Sequence, residues 1–158
     1  MSWSLTIDAY PKSGNITLRM HWTAYRRLLA WWYMQVRTTP GFLKIPLAEG
    51  RRRVTIQLHG PRAMDKENRY FAVKPLVDIL RPAKYESGIY KSGKRKGQPW
   101  TRNRLGHGLI LDDNDLNLDL QVPPVQKANL YSYIVLTIED ISEQNPAATG
   151  TTNEVLHD

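Results

Sequence analysis

Two acidic pairs lie at separate places in this chain of 158 residues, and their spacing could support metal-dependent chemistry. Asp65 and Glu67 stand two residues apart, and Asp112 and Asp113 follow the short apolar run 109–111. In extended chain, residues i and i+2 share a face, and two carboxylates on one face are costly unless a cation neutralises them. Hard oxygen ligands from separate strand ends suit Mg²⁺. The pattern is therefore compatible with a divided metal site, although the spacing alone is only weakly specific.

Both acidic pairs also have an ordinary structural interpretation. Asp65 can be the N-cap of a helix, with Glu67 favourable to the helix dipole. Residues 112–115 can form a turn. Lys74 and Asp78 are four residues apart and can form a surface ion pair on a helix. Residue types and spacing leave both interpretations open.

The surrounding elements predict a mixed order of strands and helices. Apolar residues at spacings of three and four predict a helix over 22–36, and another helix follows Asp65. Pro75 lies inside that second helix and predicts a kink or a late start. Strands are predicted over 4–10, 53–59, 109–111, 116–122 and 130–138. The fold class is α+β: a single domain with a small mixed sheet, about two main helices and a long basic loop, because there are too few βαβ units for a doubly wound fold.

Length and composition set the broader limits. We expect one domain over 1–140, with a basic loop insertion at 84–105 and a polar, flexible tail at 141–158. The chain has no cysteine, which excludes disulfides and thiolate zinc sites. The sequence shows neither a signal peptide nor a membrane span, so we expect a location in the cytoplasm of a bacterium or a phage-infected host.

Positive charge is concentrated in one segment. Of the formal net charge of +7, only +1 lies outside residues 84–104. That segment interleaves its basic residues with Tyr85, Tyr90 and Trp100, so phosphates could contact the charges while unpaired bases stack on the rings. The alternative is a solvated loop. The candidate DNA-binding residues are Lys84, Lys91, Lys94, Arg95, Lys96, Arg102 and Arg104.

Other residues carry weaker signals. The tryptophans of the helix over 22–36 are expected in the core or at a dimer interface, and Arg26 and Arg27 are further candidates for DNA contact. The four histidines have no metal-ligand spacing, and His107 is expected to be exposed to solvent.

The combined pattern resembles the RusA-like Holliday-junction resolvases, many of which are phage-encoded. That family shows D-x-D-N, a lysine, D-x-L, a glycine, an apolar run and D-D, in an order of elements that spans residues 4–140 here. Glu67 stands where the family has aspartate, and the connection between Leu80 and Gly108 is longer than in compact members. The matching residues are Asp65, Glu67, Asn68, Lys74, Asp78, Leu80, Gly108, Asp112 and Asp113.

The resemblance implies a homodimeric, Mg²⁺-dependent endonuclease that acts on branched DNA in recombination and repair, with Mn²⁺ able to replace Mg²⁺. It implies that Asp65, Glu67 and Asp113 bind metal, with Asp112 in support, and that Lys74 lies beside the scissile phosphate. Two alternatives stay open: a branched-DNA-binding protein without cleavage, and a nuclease for other branched or single-stranded DNA.

Overall fold

A sheet of five strands forms one layer of the protein, and helices cover one of its faces. The structure, a computed structural model, describes residues 1–141. The helices are α1 (Gly14–Leu18), α2 (Trp22–Thr38) and α3 (Lys66–Leu80), with a 3₁₀ turn at Phe42–Lys44. The strands are β1 (Ser2–Ile7), β2 (Arg52–Gly60), β3 (Lys84–Ile89), β4 (Pro99–Arg104), β5 (Leu118–Gln121), β6 (Gln126–Lys127) and β7 (Tyr133–Asp140).

The sheet is mixed. Strand β7 runs antiparallel to both β1 and β2, whereas β5 and β6 run parallel to β2. Alternation along β2 places Val54, Ile56 and Leu58 on one face, where all three are fully buried. The register pairs Ile56 with Leu136 of β7, and Leu136 with Leu5 of β1, so the apolar residues of neighbouring strands meet on the same face. The core therefore lies between this face and the helices.

The helices close the core with apolar stripes of helical period. Trp32 and Val36 of α2 are buried, as are Leu76, Ile79 and Leu80 of α3. The amino-terminal half of α2 is different, because its side chains are exposed or only half-buried. Only the carboxyl-terminal half of α2 therefore contributes fully buried side chains to the core.

The predicted α+β class is confirmed, with three α-helices in residues 1–141. Two local predictions were wrong. Residues 109–111 form no strand, because the N–H groups of Leu109 and Ile110 donate to the Leu80 carbonyl at the end of α3 and not to a neighbouring strand. The basic segment is not an irregular loop, because β3 and β4 pair as an antiparallel hairpin.

Two further predictions concern the start of α3 and the carboxyl-terminal tail. Helix α3 begins at Lys66, directly after Asp65, so Pro75 does not delay its start. The tail predicted over 141–158 lies, apart from its first residue, outside the described residues. Within residues 1–141, no helix has both the length and the apolar character needed to cross a membrane.

Candidate active site and nucleic-acid interface

The first acidic pair lies at the amino-terminal end of α3, where it caps the helix. The Asp65 carboxylate accepts a hydrogen bond of 2.8 Å from the backbone N–H of Asn68. Glu67 lies in the first turn, where its charge is favourable to the helix dipole. Both acidic side chains are exposed. Because Glu67 is helical, the two carboxylates do not share an extended face, and the capping interpretation of Asp65 is confirmed.

Asn68 of the D-x-E-N motif holds α1 against the start of α3. Its side-chain oxygen accepts a hydrogen bond from the backbone N–H of Gly14. A Cβ atom at Gly14 would meet the Asn68 carbonyl oxygen at 2.5 Å, so only glycine allows this approach. The motif asparagine therefore has a structural partner 54 residues away.

The second acidic pair meets the other end of α3. The Lys74 ammonium donates to Asp78 Oδ1 at 2.7 Å and to Asp113 Oδ2 at 2.6 Å. Asp78 is buried, whereas the side chains of Lys74 and Asp113 keep 46% and 26% exposure. Lys74 therefore joins the two separated parts of the sequence motif in one ion-pair network.

Arg81 and Tyr25 complete this network, and sequence reasoning identified neither. Arg81 donates to Asp78 at 3.0 Å and to Asp113 at 3.1 Å. The Tyr25 hydroxyl of α2 donates to the second oxygen of Asp78. A signal for Arg81 existed, because its spacing of three from Asp78 puts both on one helix face with Lys74. Tyr25 gave no such signal, because its contact spans 53 residues. We call these five residues the C-terminal cluster: Tyr25, Lys74, Asp78, Arg81 and Asp113.

Ionisation in the C-terminal cluster follows from its mutual contacts. Partial burial alone would lower the pKa of Lys74, but hydrogen bonds to Asp113 and Asp78 outweigh it and raise that pKa above its usual value. Partial burial would raise the pKa of Asp113, but Lys74 and Arg81 lower it overall. Burial and the bond to Asp78 raise the pKa of Tyr25. Lys74 and Asp113 are therefore both charged at neutral pH.

The segment that carries Asp113 is fixed to the end of α3 by backbone hydrogen bonds. The N–H groups of His107, Gly108 and Leu109 donate to the carbonyls of Ile79, Arg81 and Leu80, at 2.9, 3.1 and 2.7 Å. A helix end leaves carbonyl groups without intrahelical donors, and this segment supplies donors to them. Gly108 has φ +69°, a left-handed conformation that favours glycine. The motif glycine and the apolar run therefore bring Asp113 to Lys74.

A buried arginine supports the same segment from the other side. Arg52 of β2 is 2% exposed and donates to the Leu109 carbonyl at 2.9 Å, to the Pro46 carbonyl at 3.0 Å and to Asp140 at 2.8 Å. Its guanidinium also lies over the ring of Trp3, at 5.1 Å. Because the charge is paired and hydrogen-bonded, its burial is tolerated. Sequence reasoning missed this role, because alternation along β2 marked only positions 53 to 59.

The predicted metal ligands fall into two places. Asp65 precedes Lys74 by nine residues, which is about 13 Å along the helix at 1.5 Å per residue. Asp113 already contacts Lys74 and Arg81, and Asp112 accepts from its neighbours, the Asp113 N–H and the Asn114 amide. Within residues 1–141, no three or more histidine, aspartate or glutamate side chains are grouped so that they could hold a metal ion. In this arrangement the four carboxylates do not form one ligand set.

The basic segment presents part of its charge from an ordered hairpin. The register pairs Lys84 with Arg104 and Glu86 with Arg102, so these four side chains share one face. Glu86 contacts Arg102 and lies 3.7 Å from Lys84, and its pKa is lowered by these cations, Arg102 above all. The ring of Trp100 lies against Gly88, where a Cβ would come within 2.7 Å of it. The hairpin strands therefore combine an aromatic ring with three cations and one neutralising acid.

The remaining predicted DNA contacts lie at the hairpin tip. Tyr90 and Gln98 close the tip by a backbone hydrogen bond of 3.0 Å, and the Gly97 N–H donates to the Tyr90 carbonyl at 2.8 Å. The side chains of the tip point to solvent. The tip cations are Lys91, Lys94, Arg95 and Lys96.

His107 is not exposed as predicted. Its ring stacks on Tyr33 with centroids 4.2 Å apart and meets Phe42 edge-on at 4.7 Å. Its Nε2 lies 3.1 Å from the Tyr33 carbonyl oxygen. Burial lowers the pKa of His107 to about 4, so the ring is neutral at pH 7 and can donate to that carbonyl. His107 is therefore a packing residue beside the C-terminal cluster.

Comparison with protein-family models, with curated proteins and with solved structures found no match to this chain. The family resemblance therefore rests on the motif residues themselves.

Proposed function

We propose that this protein is an endonuclease that hydrolyses phosphodiesters in branched DNA, Holliday junctions included. The observation that carries the proposal is the contact between Lys74 and Asp113, which joins the two halves of the resolvase-like motif across 39 residues. A chance similarity of sequence would not require these two positions to meet.

The surroundings of Asp113 suit a phosphate. Arg81, Lys84 and Arg104 line a depression beside Asp112 and Asp113, with a volume of about 510 Å³. Three cations facing two carboxylates leave the depression positive, which favours an anionic ligand. A phosphodiester bound here would lie between the C-terminal cluster and the hairpin of β3 and β4.

To catalyse this hydrolysis, the protein must stabilise the negative charge that develops in the transition state. When water attacks a phosphodiester, the bond from phosphorus to the leaving oxygen breaks, and negative charge grows on the phosphoryl and leaving oxygens. Lys74 and Arg81 are cations that can donate hydrogen bonds to those oxygens. Lys74 does not serve as the general base, because its raised pKa keeps it protonated.

A requirement for Mg²⁺ is part of the proposal and comes from the motif resemblance. The carboxylates in their present arrangement do not form one ligand set. A two-fold symmetric junction needs two opposed cuts, so a homodimer with two sites related by a dyad suits the substrate.

The rival function is DNA binding without cleavage. Carboxylates that face a DNA phosphate weaken binding, so a protein that only binds DNA gains nothing from them. The presence of Asp112 and Asp113 therefore favours the nuclease.

The experiment is cleavage of a synthetic four-way junction, with and without Mg²⁺, by the wild type and by Asp113→Asn. We expect the wild type to cut only with Mg²⁺, and the mutant to bind the junction without cutting it. Equal cutting by both proteins would rule out Asp113 as part of the active site. Binding by the wild type with no cutting under any metal condition would favour the rival.

A further inference from the structure

A cleft of about 760 Å³ lies between the amino-terminal half of α2 and strand β4. Pockets of a few hundred to about 1,000 Å³ take small organic ligands, so this cleft has room for one or two nucleotides and excludes a duplex. Its lining includes Trp22, Arg26, Arg81, Arg102, Arg104 and Leu105.

The lining of the cleft carries an excess of positive charge. Of its lining residues five are arginines and one is an acid, Asp78. Asp78 already accepts from Tyr25, Lys74 and Arg81. Within residues 1–141, the arginines at 26, 27 and 104 form no ion pair. The buried Nε atoms of Arg81 and Arg104 have no hydrogen-bond partner in the same part of the chain. The cleft therefore complements an anion.

An exposed aromatic ring lines this cleft. Trp22 is 62% exposed although it is the first residue of α2 and belongs to the apolar stripe of that helix. The guanidinium of Arg26 lies 5.7 Å from the centre of its ring. The first turn of α2 contains no acidic residue, so the helix dipole there is not neutralised locally. An exposed ring beside cations can stack a nucleobase whose phosphate the cations bind.

The cleft reaches the C-terminal cluster, because Tyr25, Asp78 and Arg81 line it. Arg81 and Arg104 line both this cleft and the depression that contains Asp112 and Asp113. A chain of nucleotides could therefore run from the tryptophan past these two arginines to Asp113, whereas a single free nucleotide would use only one end.

We propose that this cleft binds an unpaired DNA strand, with a base stacked on Trp22 and its phosphates held by Arg26, Arg104 and Arg81. The choice of an unpaired DNA strand as the ligand rests on the proposed function, because branched DNA supplies such a strand beside the cleavage position. Trp22 is then a DNA-binding residue that gives the protein a preference for single-stranded over double-stranded DNA.

The test measures binding of a fluorescent oligothymidylate of 12 nucleotides by anisotropy, in EDTA so that no cleavage occurs. Trp22→Ala should weaken binding by about tenfold or more, the loss expected for one base–aromatic stack. Trp22→Phe should recover most of it, because the phenyl ring keeps a stacking surface. Arg26→Ala should weaken binding and flatten the dependence of log affinity on log salt by about 0.7.

The matched controls lie away from the cleft. Trp31→Ala replaces a tryptophan of the same helix that lines a different pocket, and Arg51→Ala removes an exposed cation near the sheet. Both should bind the oligonucleotide as the wild type does. Trp22 is mostly exposed, so its replacement leaves no cavity, and an unchanged thermal unfolding midpoint verifies the fold.

Two results would overturn the inference. One is binding of the oligonucleotide by Trp22→Ala as tight as that of the wild type. The other is competition by thymidine monophosphate as effective as competition by the oligonucleotide, which would indicate a mononucleotide pocket. Junction cleavage by the wild type is measured separately. The proposed endonuclease activity can therefore be correct when strand binding in the cleft is wrong, and strand binding can be correct in a protein that does not cleave DNA.

Discussion

One half of the sequence motif begins at the amino-terminal end of α3 and the other half is bound to its carboxyl-terminal end, and the two ends are built in opposite ways. At the amino-terminal end, Asp65 and Glu67 are exposed and their contacts are local, since Asp65 bonds to a backbone group three residues away. At the carboxyl-terminal end, Asp78 is buried and accepts from Tyr25, Lys74 and Arg81, one of them on another helix. The first end is a helix cap, and the second is a network that depends on the whole fold.

At the carboxyl-terminal end of α3, the residues proposed for chemistry also stabilise the fold, whereas at the amino-terminal end they form only a local cap. A local cap can be changed without disturbing its neighbours, so an effect of Asp65 on activity would report charge alone. The C-terminal cluster cannot be changed so cleanly, because each charge satisfies two or three others. Changes at each end of α3 should therefore have different consequences.

Asp65→Asn tests whether the two ends form one active site. Asparagine caps a helix as well as aspartate does, so the variant keeps the fold and removes only the charge. If both ends serve the same cleavage, as the motif resemblance implies, junction cleavage should fall by about a hundredfold or more, as in Asp113→Asn. Initial rates on a four-way junction with Mg²⁺ measure this. Normal cutting by Asp65→Asn would restrict the active site to the carboxyl-terminal end.

Asp78→Ala tests the dependence of the C-terminal cluster on its buried acid. Removal of this carboxylate leaves Lys74, Arg81 and the Tyr25 hydroxyl without their common acceptor, so the free energy of unfolding should fall by about 3 kcal/mol. Asp65→Ala, at the other end of the same helix, should cost about 1 kcal/mol, the usual loss of an N-cap. Urea unfolding of both variants measures the difference. Equal costs would show that the C-terminal cluster is no more cooperative than a cap.

His107→Phe tests whether acid loosens the carboxyl-terminal end. The pKa of His107 is about 4 in the fold, against 6.5 ordinarily, so the unfolded chain binds the proton more readily. The stabilisation is complete above pH 6.5 and is lost as the pH falls towards 4, by about 3 kcal/mol in all. The wild type should lose this stability between pH 7 and pH 4.5, and the variant should not. Parallel losses in urea unfolding at the two pH values would contradict the buried, neutral state of His107.

A triple change at the hairpin tip tests how far the positive surface extends from the carboxyl-terminal end. Replacement of Lys94, Arg95 and Lys96 by glutamine should flatten the salt dependence of junction binding by up to about 0.9 per lost phosphate contact. A triple variant with the same loss of charge at Lys12, Lys44 and Arg51 should keep the wild-type slope. An unchanged slope in the tip variant would mean that the tip does not touch phosphate.

The fold class was predictable because its signals are local and periodic. Alternation along β2 and the helical stripe of α2 each follow from neighbouring residues, and burial of Val54 and Trp32 agrees with them. The failures came where partners are distant. Residues 109–111 have a strand-like composition, yet they satisfy the end of α3, and no local pattern encodes that choice. The basic segment paired with itself as a hairpin, although its glycines and charges are typical of a loop.

The sequence alone was enough to locate the charged residues and to place Lys74 and Asp78 on one helix face. It offered the cap at Asp65 as one of two interpretations. Only the tertiary structure decided that Asp113 joins Lys74, that Arg81 and Tyr25 complete the network, and that Asp65 and Glu67 stay apart from it. The cause is the separation along the sequence between the residues that interact. Caps and helix faces depend on residues three or four apart, whereas the meeting of Lys74 with Asp113 depends on backbone hydrogen bonds that fasten residues 107–110 to the end of α3.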